Sequence, residues 1–412
     1  MKKRILTTFG NGDCGRLGHG TPCTSIEIPK QVSAPILEGF EYIQVACGGA
    51  HTLALSTEGS VVSFGLNDKG QLGHTESEAW VAEPIDVPIP EDVVRVAAGH
   101  YHSLAVDRNG GVWAWGQNGS GQLGLGKEVH TTCDPRLVAS IKDSDIVYAA
   151  AGAAHSLLVS SAGELYSCGD GAHGRLGHGT AGSSSIFRYI STQEEYIPRK
   201  VRALEAKKIV AAAAGHMHSA CIDSDGFVYT FGNGRHLQLG TGTRDDSSIP
   251  IKVQGLESVG SLACGGYHSL ASTHYGKTMV WGAEQQGCLG LGSSVPHGVL
   301  RPQPIPDFQS ISVAAGWKHS AAIDDRGWAH CWGWGGSQGT AMSIDHGGSG
   351  GGQLGGDDCD AWSPRRIVTI EMADGLEVPQ SQSQGHLIWK AVSMSCGLNH
   401  TAMIVELING AD

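Results

Sequence analysis

The 412-residue sequence has few charged side chains and no long apolar run, and both absences narrow the class of protein. Asp, Glu, Lys and Arg make up only 17% of the residues and hydrophobic residues 40%, a balance typical of an ordered chain. No run of about 18 apolar residues occurs, so we expect no membrane-spanning helix. The first residues also lack the apolar stretch of a secretory signal, and we expect an intracellular protein of the cytoplasm or nucleus.

The sequence also has fewer basic residues than acidic ones, with 28 Lys and Arg against 40 Asp and Glu. The formal net charge is −12, which argues against direct nucleic-acid binding because that function needs a basic surface. The 11 cysteines are an odd number and form no C-x-x-C pair. We therefore expect reduced, mostly buried thiols rather than a disulfide framework.

Glycine, by contrast, is abundant, at 61 residues. Gly10, Gly12 and Gly15 in TTFGNGDCGRLGHG match the G-x-G-x-x-G pattern of dinucleotide-binding proteins. That pattern should lead into a helix, whereas residues 16–22 have the composition of a turn. The stretch recurs at 168–179 as CGDGAHGRLGHG and in five looser copies, one of them interrupted. We therefore interpret these glycines as parts of a structural repeat.

A second motif, Gly-x-x-His-Ser/Thr followed by apolar residues, also occurs seven times. Its histidines are His51, His102, His155, His218, His268, His319 and His400. In the first five copies 21 residues separate this histidine from the leucine of the next Leu-Gly pair, as from His51 to Leu72. A spacing kept that constant indicates a rigid supersecondary element.

Each repeat contains four short apolar segments. Residues 102–107 and 111–116 flank an Asn-Gly turn and predict a β-hairpin. A proline-containing run and an alanine-rich strand complete the unit. The sequence therefore predicts an all-β fold, a seven-bladed β-propeller of four-stranded antiparallel blades. Residues 4–10 should pair with 400–405, so that N- and C-terminal strands close the ring within one blade.

The order and spacing of the two motifs resemble the regulator of chromosome condensation family of seven-bladed propellers. The resemblance covers nearly the whole chain and implies a single propeller domain over residues 1–412. We expect flexible insertions at 180–197, 335–353 and 370–386, where the repeat is interrupted by polar, glycine- and serine-rich sequence.

The repeated histidines suggest a structural role rather than a metal site. Equivalent residues of different blades cannot converge on one ion, and we expect each imidazole to bond backbone groups between blades. His100/His102 and His216/His218 form i, i+2 pairs, but no carboxylate or thiol completes a metal site beside them. No catalytic residue set and no cofactor motif recur, so we expect no enzyme, no cofactor and no bound metal.

The resemblance favours a scaffold that binds a protein partner through one face. The two variable residues of Gly-x-x-His should surround the axis on that face, and they include side chains common in protein interfaces. The predicted partner-binding residues are His100, Tyr101, His216, Met217, Tyr267, Trp317 and Lys318.

The family also offers two other functions. Its archetype exchanges nucleotide on the small GTPase Ran and carries a wedge in an early loop, whereas loops 65–73, 116–124 and 169–177 are uninterrupted here. A plant ultraviolet-B photoreceptor of the family has Gly-Trp-Arg-His-Thr in three repeats, and only Trp317 matches those tryptophans. That photoreceptor engages a ubiquitin ligase through a Val-Pro peptide, which residues 377–379 resemble. A small GTPase and a ubiquitin-ligase component are thus the implied partners.

Overall fold

Short strands and turns make up almost all of the molecule. The computed structural model describes residues 3–21, 25–75, 78–179, 194–293, 297–336, 351–380 and 387–409. The helical elements in these ranges are single 3-10 turns: Asp13–Gly15, Pro35–Leu37, Ala139–Ile141, Ala172–Gly174 and Arg202–Leu204. Across the same ranges, no helix has both the length and the apolar character needed to span a bilayer.

Seven antiparallel sheets form blades 1 to 7 of a propeller, numbered from residue 42 onwards. The first strands, which contact one another in a closed series, are Tyr42–Cys47, Val93–Ala98, Ile146–Ala151, Ile209–Ala214, Val259–Cys264, Ser312–Ala315 and Leu387–Cys396. The second strands are His51–Ser56, His102–Asp107, His155–Ser160, His218–Asp223, His268–Thr273, His319–Ile323 and His400–Asn409.

The outer half of each blade follows in the same order. The third strands are Val61–Leu66, Val112–Gln117, Leu165–Asp170, Val228–Gly232, Lys277–Gly282, Ala329–Gly333 and, for blade 7, Lys3–Gly10. The fourth strands are Trp80–Asp86, Thr131–Leu137, Glu194–Lys200, Ser247–Lys252, Val299–Gln309, Ala361–Arg366 and Ile26–Gln31. The predicted fold class is confirmed.

Blade 7 joins the two ends of the chain, as the split repeat predicted. Lys3–Gly10 pairs with His400–Asn409 in an unbroken antiparallel register from Lys3 opposite Leu407 to Gly10 opposite His400. Ile5, Leu6 and Phe9 are buried in the cores shared with neighbouring blades. The strand therefore removes a sheet edge and also completes two hydrophobic cores.

The core lies between the blades rather than within them. One cluster joins Leu53 and Leu55 of blade 1 to Ala105 and Trp115 of blade 2. Both faces of each second strand are therefore covered, and the strand His51–Ser56 is buried along its whole length. This explains why these strands have continuous apolar runs rather than alternating polar and apolar residues.

The three predicted insertions are only partly described. Residues 180–193, 337–350 and 381–386 lie outside the described ranges, while 194–197 belong to a fourth strand. Within the third insertion, Thr369–Glu371 and Glu377–Pro379 form a short hairpin that extends the blade 7 sheet beyond Ile26–Gln31. The flexibility of these segments stays a prediction.

Candidate protein-binding face

The antiparallel strand order sorts the motifs onto two faces of the ring. Each first strand ends just before Gly-x-x-His, and the second strand begins at that histidine. The third strand pairs with the second and ends beside the histidine, as the pairing of His102 with Gly116 shows. The Gly-x-x-His turns and the third-to-fourth-strand loops therefore share one face, here called the upper face. The hairpins between second and third strands and the connections between blades occupy the opposite, lower face.

On the upper side, each repeat histidine contacts the next blade. Its Nε2 lies 2.8–3.0 Å from the hydroxyl oxygen of the residue after the neighbouring blade's histidine. The pairs are His51–Ser103, His102–Ser156, His155–Ser219, His218–Ser269, His268–Ser320, His319–Thr401 and His400–Thr52. The expectation of backbone partners is wrong, because the hydroxyl lies between the imidazole and the backbone.

Each hydroxyl in turn donates to a carbonyl of the preceding blade's Leu-Gly turn. Ser103 Oγ donates to Gln71 O at 2.8 Å, and Ser219 Oγ donates to Arg175 O at 2.7 Å. Since a serine hydroxyl has one proton, the imidazole Nε2 must donate to it, which defines the tautomer. Between blades 1 and 2, the indole Nε1 of Trp115 also donates to Gln71 O, at 2.9 Å. This histidine–hydroxyl–carbonyl relay joins every pair of neighbouring blades.

The relay histidines are neutral. Burial lowers the pKa of His51, His102, His218 and His319 to about 3, and that of His268 to about 4. The pKa values of His155 and His400 are also lowered by burial. Protonation would add a hydrogen at Nδ1, which in all seven has no hydrogen-bond partner within the described ranges. Those ranges contain no metal-binding group of three or more His, Cys, Asp or Glu residues.

The glycine of the motif is required by the histidine that follows it. A Cβ atom on Gly48 would collide with the imidazole of His51 and with the carbonyl oxygen of Gly99 in the next blade. The equivalent glycine of every other blade, including Gly397 at the boundary of blades 7 and 1, shows the same crowding. Close approach of neighbouring backbones therefore explains both the glycine and its spacing from the histidine.

Four of the predicted partner-binding residues meet at the axial opening of the upper face. The ring of His216 lies 4.5 Å from that of Trp317 and 5.1 Å from that of His100, measured between centroids. Tyr267 is 5.2 Å from Trp317 in an edge-to-face arrangement. We call His100, His216, Tyr267 and Trp317 the upper cluster. It is built from blades 2, 4, 5 and 6.

The other predicted residues lie around this cluster. Tyr101 contacts His100 at 6.1 Å between ring centroids, and Lys318 Nζ lies 5.6 Å from the ring centre of Trp334. Met217, like every predicted partner-binding residue, is half-buried rather than exposed. The aromatic rings of different blades thus partly cover one another.

Sequence reasoning missed one aromatic neighbour of the cluster. His236, from the third-to-fourth-strand loop of blade 4, lies 4.6 Å from Tyr267. That loop is part of the glycine-rich repeat, and the sequence of its variable positions does not indicate which of them contact the next blade. Burial lowers the pKa of His216 to about 3, with His100 and the buried guanidinium of Arg175 acting in the same direction. His216 is thus uncharged at neutral pH.

The photoreceptor-type cluster is absent. The positions equivalent to Trp317 in the other blades hold Gly49, His100, Ala153, His216, Gly266 and Leu398. Trp115, Trp281 and Trp332 are fully buried between blades. Val378 of the Val-Pro pair is 2% exposed, and its carbonyl accepts a hydrogen bond from Trp389 Nε1. Val378 is therefore part of the blade 7 core, whereas Pro379 is exposed.

Comparison with known proteins places this geometry in context. The family model described as RCC1-like domain matches residues 5–403. The chain is similar to the ultraviolet-B receptor UVR8 of Arabidopsis thaliana, with 32% identity over 83% of this chain and 76% of that protein. It is similar to the regulator of chromosome condensation of Xenopus laevis, with 28% identity over 97% of this chain and 89% of that protein.

Two further comparisons concern a larger protein and a solved structure. The human E3 ubiquitin-protein ligase HERC2 is 30% identical over 79% of this chain, which spans only 7% of that protein's length. Prp20p from Saccharomyces cerevisiae, whose structure was described with its binding to Gsp1p and histones, superposes with a TM-score of 0.78. At 24% identity over 98% of this chain and 91% of Prp20p, the superposition supports the fold alone.

Proposed function

The chain belongs to the RCC1-like domain family, and from that premise we propose that it is a non-enzymatic propeller that binds a protein partner through its upper face. The upper cluster is the observation that supports this function. It places Trp317 and Tyr267, residue types that dominate protein-binding hot spots, beside the axial opening. The partner is a protein with apolar or aromatic side chains that can pack against these rings.

Two physical features suit the upper cluster to a protein partner. Its rings already pack against one another, so little side-chain freedom is lost on binding. Its histidine His216 is neutral, so an apolar group can contact it without removing water from a charge. Small residues at the ends of the first strands, such as Ala98 and Ala214, line the opening together with His100, His216 and Trp317.

Substitution of the two large aromatic residues tests this proposal. The partner is first identified by affinity purification from the native source with mass spectrometry, and its affinity is then measured by titration. Trp317→Ala and Tyr267→Ala should each weaken binding by roughly 1–3 kcal/mol. Trp362→Ala is the matched control, because Trp362 is 41% exposed on the fourth strand of blade 6, away from the axis.

The double variant gives the decisive result. It must first show an unchanged thermal transition, so that a loss of binding cannot be ascribed to unfolding. Binding that survives both substitutions in a folded protein contradicts the assignment of the interface to the upper cluster. Weakening by Trp362→Ala instead would place the interface on the outer edge of the propeller.

A guanine-nucleotide exchange factor for a Ran-type GTPase is the second candidate function. It is favoured by similarity to the regulator of chromosome condensation over 97% of this chain. Catalytic amounts of the protein should then accelerate release of labelled GDP from such a GTPase. A flat release rate across a panel of small GTPases removes this candidate and leaves the binding function untouched.

A further inference from the structure

An exposed aliphatic side chain recurs in five of the seven blades at the position five residues before the glycine of Gly-x-x-His. The residues, with their exposed fractions, are Val94 (44%), Val147 (46%), Val210 (46%), Ile311 (58%) and Val392 (38%). We call these five residues the lower ring. Single exposed aliphatic residues are common, but recurrence at one structural position is not expected by chance.

A β-bulge accounts for the exposure in four of these blades. The register between first and second strands shifts across Val94, because Val93 pairs with Asp107 while Arg95 pairs with Val106. The same shift occurs at Val147, Val210 and Val392. A bulged residue lies outside the alternation of the strand, and in these four blades its side chain stays exposed, whereas Ile43 at the same bulge of blade 1 is half-buried. Ile311 directly precedes the first strand of blade 6.

The topology places these residues around the axis on the lower face. Every first strand contacts the first strands of both neighbouring blades, and each begins at the lower face. Two blades differ from this pattern. Ile43 of blade 1 is half-buried, and blade 5 has Gly260, where the imidazole of His274 occupies the space of a side chain. The lower ring is therefore an apolar arc that is interrupted by a polar group at blade 5.

Acidic residues dominate the connections beside Val94 and Val147. The exposed charged residues of the connections into blades 1, 2 and 3 and of the hairpins in blades 1 and 2 are Glu38, Glu58, Glu91, Asp92, Asp143, Asp145, Arg108 and Lys142. Six of these eight are acidic, and the ion pair Asp92–Arg108, at 3.4 Å, neutralises one of them. The connection into blade 4, beside Val210, differs, because its exposed charged residues are Arg202, Lys207, Lys208 and one acidic residue, Glu205. The groove at the boundary of blades 7 and 1 does not continue this pattern, because Lys3 and Arg4 line it together with Glu38 and Glu41.

We propose that the lower ring is a second docking surface, whose occupant is a protein segment with apolar side chains flanked by Lys or Arg. The apolar side chains of that segment would cover Val94, Val147 and Val210, and its basic groups would face the acidic connections beside Val94 and Val147. Charge argues against a second copy of this chain, which carries a net charge of −12 and would present the same acidic arc. Phosphate-bearing surfaces are repelled for the same reason.

The surface does not overlap the upper cluster, so this proposal stands independently of the proposed function. A propeller with both surfaces could hold two different proteins at opposite ends of its axis. In that arrangement the ring acts as an adaptor, since neither partner competes with the other for the same residues.

A displayed library of random 12-residue peptides, selected on the whole chain, provides the probe. Enriched peptides should carry aliphatic or aromatic residues next to Lys or Arg, and their affinity, measured by fluorescence anisotropy, should fall as salt is raised. The triple variant V94S/V147S/V210S should lose roughly tenfold or more in affinity for them. The charge variant E91Q/D143N should weaken the same peptides without changing the apolar preference.

Matched variants separate this surface from others. I249S/I251S removes two exposed aliphatic residues, 49% and 40% exposed, from the outer strand of blade 4 and should leave binding unchanged. W317A/Y267A should also leave these peptides unaffected. The proposal is overturned if no enriched peptide is sensitive to the triple variant, if the sensitive peptides are acidic, or if the triple variant instead abolishes self-association detected by sedimentation.

Discussion

Acidification should unfold this protein through its relay histidines. In the folded state the pKa values of His51, His102, His218 and His319 are about 3, and that of His268 is about 4, against about 6.5 in an unfolded chain. Because each folded pKa lies below the unfolded one, the unfolded state binds more protons between pH 6.5 and pH 4. Stability is therefore fully present above pH 6.5 and is lost as the pH falls through this window.

The size of the effect follows from the linkage relation. Between pH 7 and pH 5 a histidine that stays neutral in the folded state and titrates normally when unfolded loses about 2 kcal/mol of stability. The five histidines named above together lose about 10 kcal/mol, and His155 and His400 act in the same direction. This is comparable to the whole unfolding free energy of a typical domain, so we expect cooperative acid unfolding near pH 5.

Thermal unfolding followed by circular dichroism at a series of pH values measures this effect. His268→Gln keeps an amide donor near the position of Nε2 but cannot be protonated, so its melting temperature should depend less steeply on pH. His130→Gln is the matched control, because His130 is exposed and lies outside the relay. An equal pH dependence in His268→Gln and the wild type, or a protein equally stable at pH 7 and pH 5, refutes the reasoning.

Three further predictions concern the joints between blades. Ser219→Ala leaves the imidazole of His155 and the carbonyl of Arg175 without this hydrogen-bond partner. Ser103→Ala leaves the carbonyl of Gln71 bonded to the indole of Trp115. The free energy of unfolding, measured with denaturant, should therefore fall by about 1 kcal/mol more in Ser219→Ala than in Ser103→Ala. Equal costs would contradict this relay geometry. Gly48→Ala should give little soluble protein, because its Cβ collides with two blades, and normal yield and melting would refute that crowding. Deletion of residues 1–10 should open the ring and cause a large loss of thermal stability, while an unchanged melting temperature would disprove the closure.

The local pattern of the sequence was sufficient for the fold. The distance of 21 residues from each of the first five motif histidines to the next Leu-Gly pair spans one hairpin and one turn, both of which form among neighbours in the chain. Seven copies then predict seven blades, and a repeat divided between the two ends predicts closure by residues 4–10. Repetition made these predictions secure, because any single copy, such as the glycines at 10–15, also matched a dinucleotide-binding motif.

The details of the candidate surfaces were decided only by tertiary structure. The hydroxyl that accepts from His51 belongs to Ser103, 52 residues away, and no pattern within one repeat identifies it. The contact of His236 with Tyr267 likewise joins a loop of one blade to the turn of the next. The exposure of Val94 depends on a bulge, which shifts the pairing by one residue without changing the sequence pattern. The sequence by itself thus determined the strands, the number of blades and the residues facing the axis. Packing between blades determined which of those residues touch and which stay uncovered, because that depends on groups brought together from different repeats.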